Sequence, residues 1–93
     1  MTLLSKKIII SGKVQGVGYR FWLKNLCEKN CISGWVCNNK NGEVEATFSN
    51  INEEMFKIIL TNCFVGPAKA QVKNIQITTL HESKNLNSFE IIK

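Results

Sequence analysis

The sequence predicts an α+β fold, on three observations. The apolar run Ile8-Ile9-Ile10 leads into a glycine-containing stretch, a helical period starts at Arg20, and strict alternation appears at Val44, Ala46 and Phe48. Periods of two and of 3.6 therefore interleave along one short chain instead of occupying separate halves.

Lys6 to Val14 is predicted as the first strand, its triple isoleucine suiting a strand buried on both sides or lying at the sheet centre. Arg20 to Asn30 is the first helix. Trp22, Leu23, Leu26 and Cys27 form its apolar face, and Lys24, Asn25, Glu28 and Lys29 the polar one. Ile32 to Asn38 follows as a strand. Asn39-Lys40-Asn41-Gly42 is a turn, because Asn-Gly supplies the positive φ that hairpins need. Glu43 to Ser49 is the clearest strand, with Glu43, Glu45 and Thr47 facing away from Val44, Ala46 and Phe48. Asn50 or Asn52 can cap a second helix, with Glu53 and Glu54 in its first turn and Met55, Phe56, Ile59, Leu60 and Cys63 at helical spacing. Gly66-Pro67 ends that segment. Ala70 to Leu80 and Phe89 to Ile92 close the chain as strands.

This order matches the ferredoxin-like split βαβ sandwich: a mostly antiparallel, four- to five-stranded sheet with two helices on one face. Its first two strands run parallel, with the third between them, so their carboxyl ends share one sheet edge. The first strand delivers the Gln15–Arg20 loop there, and the second delivers Asn38. An uncharged amide thus arrives beside a loop distant in sequence.

That loop is the most informative part of the chain. Of twelve basic residues only one, Arg20, is an arginine, and it ends the run Gly12-Lys13-Val14-Gln15-Gly16-Val17-Gly18-Tyr19-Arg20. A guanidinium grips a phosphate or carboxylate through a rigid fork of donors that an ammonium lacks. Gly16 and Gly18 allow close backbone approach with N–H groups turned inward, and the helix start adds donors without intrahelical partners. Gln15, Gly16, Val17, Gly18, Tyr19 and Arg20 together describe an anion cradle. The plainer reading is a tight turn with a surface arginine.

Composition narrows the class. The 93 residues suit one domain, 1–93, with a modest core. The net charge of +5 comes from scattered lysines, which suits small anionic substrates better than a nucleic-acid backbone. Met1 to Ile10 holds too short an apolar run for a signal peptide or a membrane span, so a cytoplasmic location is expected, and nothing in the sequence demands more than a monomer. Cys27, Cys31, Cys37 and Cys63 lack the paired spacing of a zinc site, and Cys27 and Cys63 read as small core residues. His81 reads as solvated surface, and Trp22 and Trp35 as packing residues. No metal or cofactor is expected.

The run from Gly12 to Arg20 resembles the first signature of the acylphosphatase family, Gly-x-Val-Gln-Gly-Val-x-Phe-Arg. Gly34-Trp35-Val36-Cys37-Asn38 with Gly42-Glu43-Val44 is similar to its second. Gly66-Pro67, Ala70, Val72 and Phe89-Glu90-Ile91 resemble its carboxyl-terminal half, so the likeness spans nearly the whole chain. The resemblance implies a ferredoxin-like hydrolase of carboxyl–phosphate anhydrides that needs no metal or cofactor. It implies that Arg20 binds the substrate phosphate, that the Gln15–Tyr19 backbone lines it, and that Asn38 positions the attacking water. Four positions depart from the pattern. Tyr19 stands for phenylalanine, Cys37 for a common arginine, Asn41 for a common aspartate, and Asn50 for a glycine. Cys37 is the one that bears on charge near the site.

The chemistry of the residues agrees. No carboxylate pair or catalytic histidine accompanies the cradle, which would defeat hydrolysis of most phosphate esters. An acyl phosphate expels a carboxylate whose conjugate acid has a pKa of about 4, so it needs no general acid. The loose transition state asks for a positioned water and for donors to the equatorial oxygens. Inorganic phosphate or sulfate should compete for the same donors. A Walker-type nucleotide loop is excluded, because Tyr19-Arg20 and not Lys-Ser/Thr follows Gly18. A ferredoxin-like RNA-binding module would need aromatics on the third strand, where Glu43, Glu45 and Thr47 stand instead. The alternative from another class is a non-catalytic phosphate- or anion-binding module with the same cradle.

Overall fold

The computed structural model describes residues 4–81 and 86–92. Among these the chain forms β1 (Leu4–Lys13), α1 (Tyr19–Lys29), β2 (Ser33–Asn38), β3 (Val44–Ile51), α2 (Glu53–Val65), β4 (Gln71–Leu80) and β5 (Phe89–Ile91). The five strands make one sheet in the order β4-β1-β3-β2-β5. β1 pairs antiparallel with both β3 and β4, β2 antiparallel with β3, and β5 parallel with β2. With β3 antiparallel to each, β1 and β2 point the same way and end at one edge. The expected ferredoxin-like α+β arrangement is the one observed, with five strands.

Alternation along the strands decides which face carries the core. Ile8, Ile10, Val36, Val44, Ala46 and Phe48 are buried with Leu23 and Cys27 of α1 and with Phe56, Ile59 and Cys63 of α2. Phe48 lies at the centre, with its ring centroid 6.1 Å from that of Phe56 and 6.0 Å from that of Phe89. Both helices therefore cover the same side. Ile9, which pairs with Glu45 and Gln76, is only half-buried on the other side. The triple isoleucine thus marks an interior strand and not burial on both faces, because among the described residues no layer covers the far face. Trp35 lies on that far face too, between Thr47 and Glu90, outside the core where a packing role had been expected. Trp22 packs against the core, edge-on to Tyr19 with centroids 5.3 Å apart.

The helix ends follow local chemistry. α1 starts one residue before the expected position, after Gly18 in the left-handed region (φ 81°). Asn52 caps α2, its Oδ1 accepting the Met55 N–H at 2.8 Å, as its type predicts. Asn50 is not the cap; it belongs to β3, at φ 50°. Gly34 is required at the start of β2, where φ is 149° and a Cβ would collide with the Thr47 carbonyl oxygen.

Cys27 and Cys63 are buried in the core as expected, and burial pushes the Cys63 thiol up to about 12. Cys31 and His81 are exposed. No helix among the described residues is long and apolar enough to cross a membrane.

Candidate active site

β1 ends at Lys13, and the buried Val14 anchors the start of the loop that follows. Gly16 and Gly18 both lie in the left-handed region, at φ 74° and 81°, with nothing within 4 Å of where a Cβ would sit. Backbone conformation, not crowding, selects glycine at these two positions, and the space above them is open. The first helical bond runs from Trp22 N–H to the Gly18 carbonyl at 3.0 Å. The N–H groups of Tyr19, Arg20 and Phe21 consequently have no intrahelical acceptor. No acidic side chain lies in that first turn, so nothing cancels the positive end of the α1 dipole.

The side chains of the loop divide their work. Gln15 reaches away from it, its Nε2 donating to the Asn39 carbonyl at 3.0 Å and the Glu43 carbonyl at 2.9 Å. It thereby clasps the loop to the β2–β3 hairpin. Tyr19 turns inward and is buried, its hydroxyl donating to the Cys63 carbonyl at 2.6 Å. That carbonyl sits in the last turn of α2, where acceptors lack helical partners, so the hydroxyl that distinguishes Tyr19 from phenylalanine has a structural use. The Tyr19 side chain is thus committed to the core, which leaves its backbone as what it can offer the loop. Val17 packs against the core, while Phe21 stands exposed beside Arg20.

Arg20 is half-buried, and no carboxylate among the described residues pairs with it. Its charge is felt at the end of β2. Burial and the Glu45 carboxylate push the Cys37 thiol up, while Lys7 and Arg20 pull it down. Cys37 is thus a neutral thiol between opposite charges, standing directly across from Glu45 in the sheet. Glu45 in turn pairs with Lys7 at 3.4 Å. Asn38, the last residue of β2, is exposed and has no side-chain partner among the described residues.

The residues singled out in the sequence thus converge on one sheet edge. Gln15 ties the loop to the residue following Asn38, and the Arg20 charge favours the ionised form of the residue preceding it. Sequence reading missed Asn39, taken only as part of a turn. Its side chain organises the hairpin through four hydrogen bonds, to the Asn41 and Glu43 N–H groups and to the Glu43 and Glu45 carboxylates. The available signal was an asparagine two residues before Asn41, a spacing at which side chains bond the backbone of a turn. A separate cavity of about 310 Å³, lined by Cys31, Ser33, Ser49 and Asn52 among others, shares no residue with the loop. Among the described residues no three His, Cys, Asp or Glu side chains gather as a metal-binding group.

Comparison with known proteins bears on family and fold. The family model described as acylphosphatase matches residues 6–91. An acylphosphatase of Rhodopseudomonas palustris is 37% identical over 75 residues, covering 81% of this chain and 75% of the relative. One from Chloroflexus aurantiacus is 35% identical over 77 residues, covering 83% of each. The crystal structure of acylphosphatase from Bacillus subtilis superposes with a TM-score of 0.92 at 27% identity, covering 98% of this chain and 100% of that one.

Proposed function

The chain belongs to the acylphosphatase family, and on that premise we propose which of its groups hydrolyse the carboxyl–phosphate bond of small acyl phosphates. Arg20 binds two phosphate oxygens through its guanidinium fork. The backbone N–H groups from Gln15 to Tyr19, with the positive end of α1, take the remaining charge. Asn38 holds one water in line with the scissile bond. The water oxygen attacks phosphorus, the bond from phosphorus to the acyl oxygen breaks, and its electron pair leaves with the carboxylate. The proton lost by water passes to phosphate or solvent. A carboxylate leaving group needs no acid to help it depart, so the sparse site is sufficient.

The observation that carries this reading is the Gln15 clasp, which joins the loop preceding Arg20 to the hairpin that bears Asn38. Cys37 does not supply the extra cation of the family pattern, and Lys7 and Arg20 are positive charges that act on it. On this reading residues 1–93 act as one domain and as a cytoplasmic monomer. All proposed groups come from one chain, and four free cysteines suit a reducing compartment. Inorganic phosphate and sulfate compete with substrate.

Turnover of benzoyl phosphate by the parent and by Asn38→Ala tests the assignment. The variant should lose about a hundredfold or more in kcat, on the order of 3 kcal/mol, with phosphate inhibition retained. Chelator should leave the parent unchanged. Parent-like turnover by the variant would remove Asn38 from the mechanism, and phosphate binding without turnover in the parent would leave an anion-binding module.

A further inference from the structure

We propose that Asn39 is a positioning residue that fixes where Asn38 places its amide, an inference that rests on the role just given to Asn38. Every hydrogen-bonding group of Asn39 is engaged. Its backbone N–H donates to the Glu43 carbonyl at 2.9 Å, and its carbonyl accepts from Gln15 Nε2 at 3.0 Å. Its Oδ1 accepts from the N–H of Asn41 at 2.9 Å and of Glu43 at 3.0 Å. Its Nδ2 donates to Glu43 Oε1 and to Glu45 Oε2, each at 3.0 Å. A carboxamide offers two donors and two acceptor lone pairs, so the side chain is saturated and its torsions are held.

The contrast with its neighbour gives this saturation its meaning. Asn38 makes no side-chain hydrogen bond among the described residues, so what the protein itself fixes is the backbone from which its amide extends, and with it the positions the amide can reach. That backbone is held on one side by pairing with Val44. On the other side it is held by Asn39. A rotation at Asn39 would swing the Asn38 amide relative to the loop, and a misplacement of about 1 Å can cost about a hundredfold in rate.

Asparagine suits the position because it must accept from two N–H groups and donate to two carboxylates at once. Aspartate would keep the acceptors but lose the donors, and would set a third negative charge against Glu43 and Glu45. Alanine would lose both. The two losses can therefore be separated.

The test compares Asn39→Ala, Asn39→Asp, and Asn39→Asp combined with Glu43→Gln and Glu45→Gln, well below their unfolding temperatures. Asn39→Ala and Asn39→Asp should each lower kcat for benzoyl phosphate about tenfold or more, with the phosphate inhibition constant within about twofold of the parent. The triple variant, whose glutamines donate to the new carboxylate, should regain most of that loss. An unaltered kcat in both single variants would overturn the proposal, as would an inhibition constant that rises in step with the loss. Should Asn39→Ala fail to fold, the aspartate variant and its rescue carry the same test. A readout independent of turnover is the NMR order parameter of the Asn38 backbone and side-chain amides, which should fall in Asn39→Asp. An unchanged order parameter would overturn the positioning role. A parent without hydrolase activity, but with that fall, would overturn the proposed reaction and leave the positioning intact.

Discussion

Gln15 and Asn39 are twenty-four residues apart, yet the Gln15 amide donates to the Asn39 carbonyl at 3.0 Å while also reaching the Glu43 carbonyl at 2.9 Å. One side chain thus spans two strand ends that share no hydrogen-bonded ladder, since β3 lies between β1 and β2. Gln15→Ala leaves two half-buried carbonyls without this donor and should cost about 1–2 kcal/mol of stability by denaturant titration. Gln15→Glu should cost more, because a carboxylate would face two carbonyl oxygens. In both variants phosphate inhibition should weaken, since the loop is no longer held to the hairpin. Parent-like stability in Gln15→Glu would show the clasp to be dispensable.

Arg20 tests geometry against charge. Arg20→Lys keeps the positive charge but not the planar fork, so most benzoyl phosphate turnover should vanish while circular dichroism remains native-like. The residue makes no ion pair among the described residues, so its replacement should leave stability within about 0.5 kcal/mol of the parent. A lysine variant as active as the parent would reduce the role to that of a point charge.

Stability should fall in alkali, for a reason located in the core. Burial raises the thiol of Cys63 from 9.0 to about 12, and it also raises Cys27 and the Tyr19 hydroxyl. The folded protein therefore keeps these protons at a pH where the unfolded chain releases them. Their contribution is complete below pH 9 and is lost as pH rises from 9 towards 12. Denaturation midpoints should hold steady from neutral pH to about 8.5 and then decline. Cys63→Ala should begin from lower stability, because it leaves a cavity, yet decline less steeply. An identical alkaline slope in that variant would move the cause elsewhere.

Groups that cooperate in this protein lie at very different distances along the chain. Local chemistry made the elements legible. Alternation at Val44, Ala46 and Phe48, the Asn52 cap and the Gly16–Gly18 turn each depend on neighbours within a few residues. The choice between Asn50 and Asn52 as cap was not legible, because both suit the role by type and only the path of β3 excludes Asn50. The triple isoleucine was ambiguous for a similar reason. Burial of Ile9 depends on whether a second layer exists, and a strand's own residues cannot report that.

The sequence by itself determined the fold class, the glycine turn between the first strand and the first helix, and the arrival of Asn38 at the same sheet edge. It did so because periodicity, turn chemistry and strand order are properties of the chain read in line. Tertiary structure alone decided what each side chain does once there. It sends Gln15 out to the Asn39 and Glu43 carbonyls, turns Tyr19 inward to the Cys63 carbonyl, and sets Cys37 among Glu45, Lys7 and Arg20. It also makes Asn39 the organiser of the hairpin. Gln15, Tyr19 and Cys37 meet partners eight to forty-four residues away along the chain, or on another strand, and a hydrogen bond depends on positions within a few tenths of an ångström. Such positions exist only after the sheet has closed around its core.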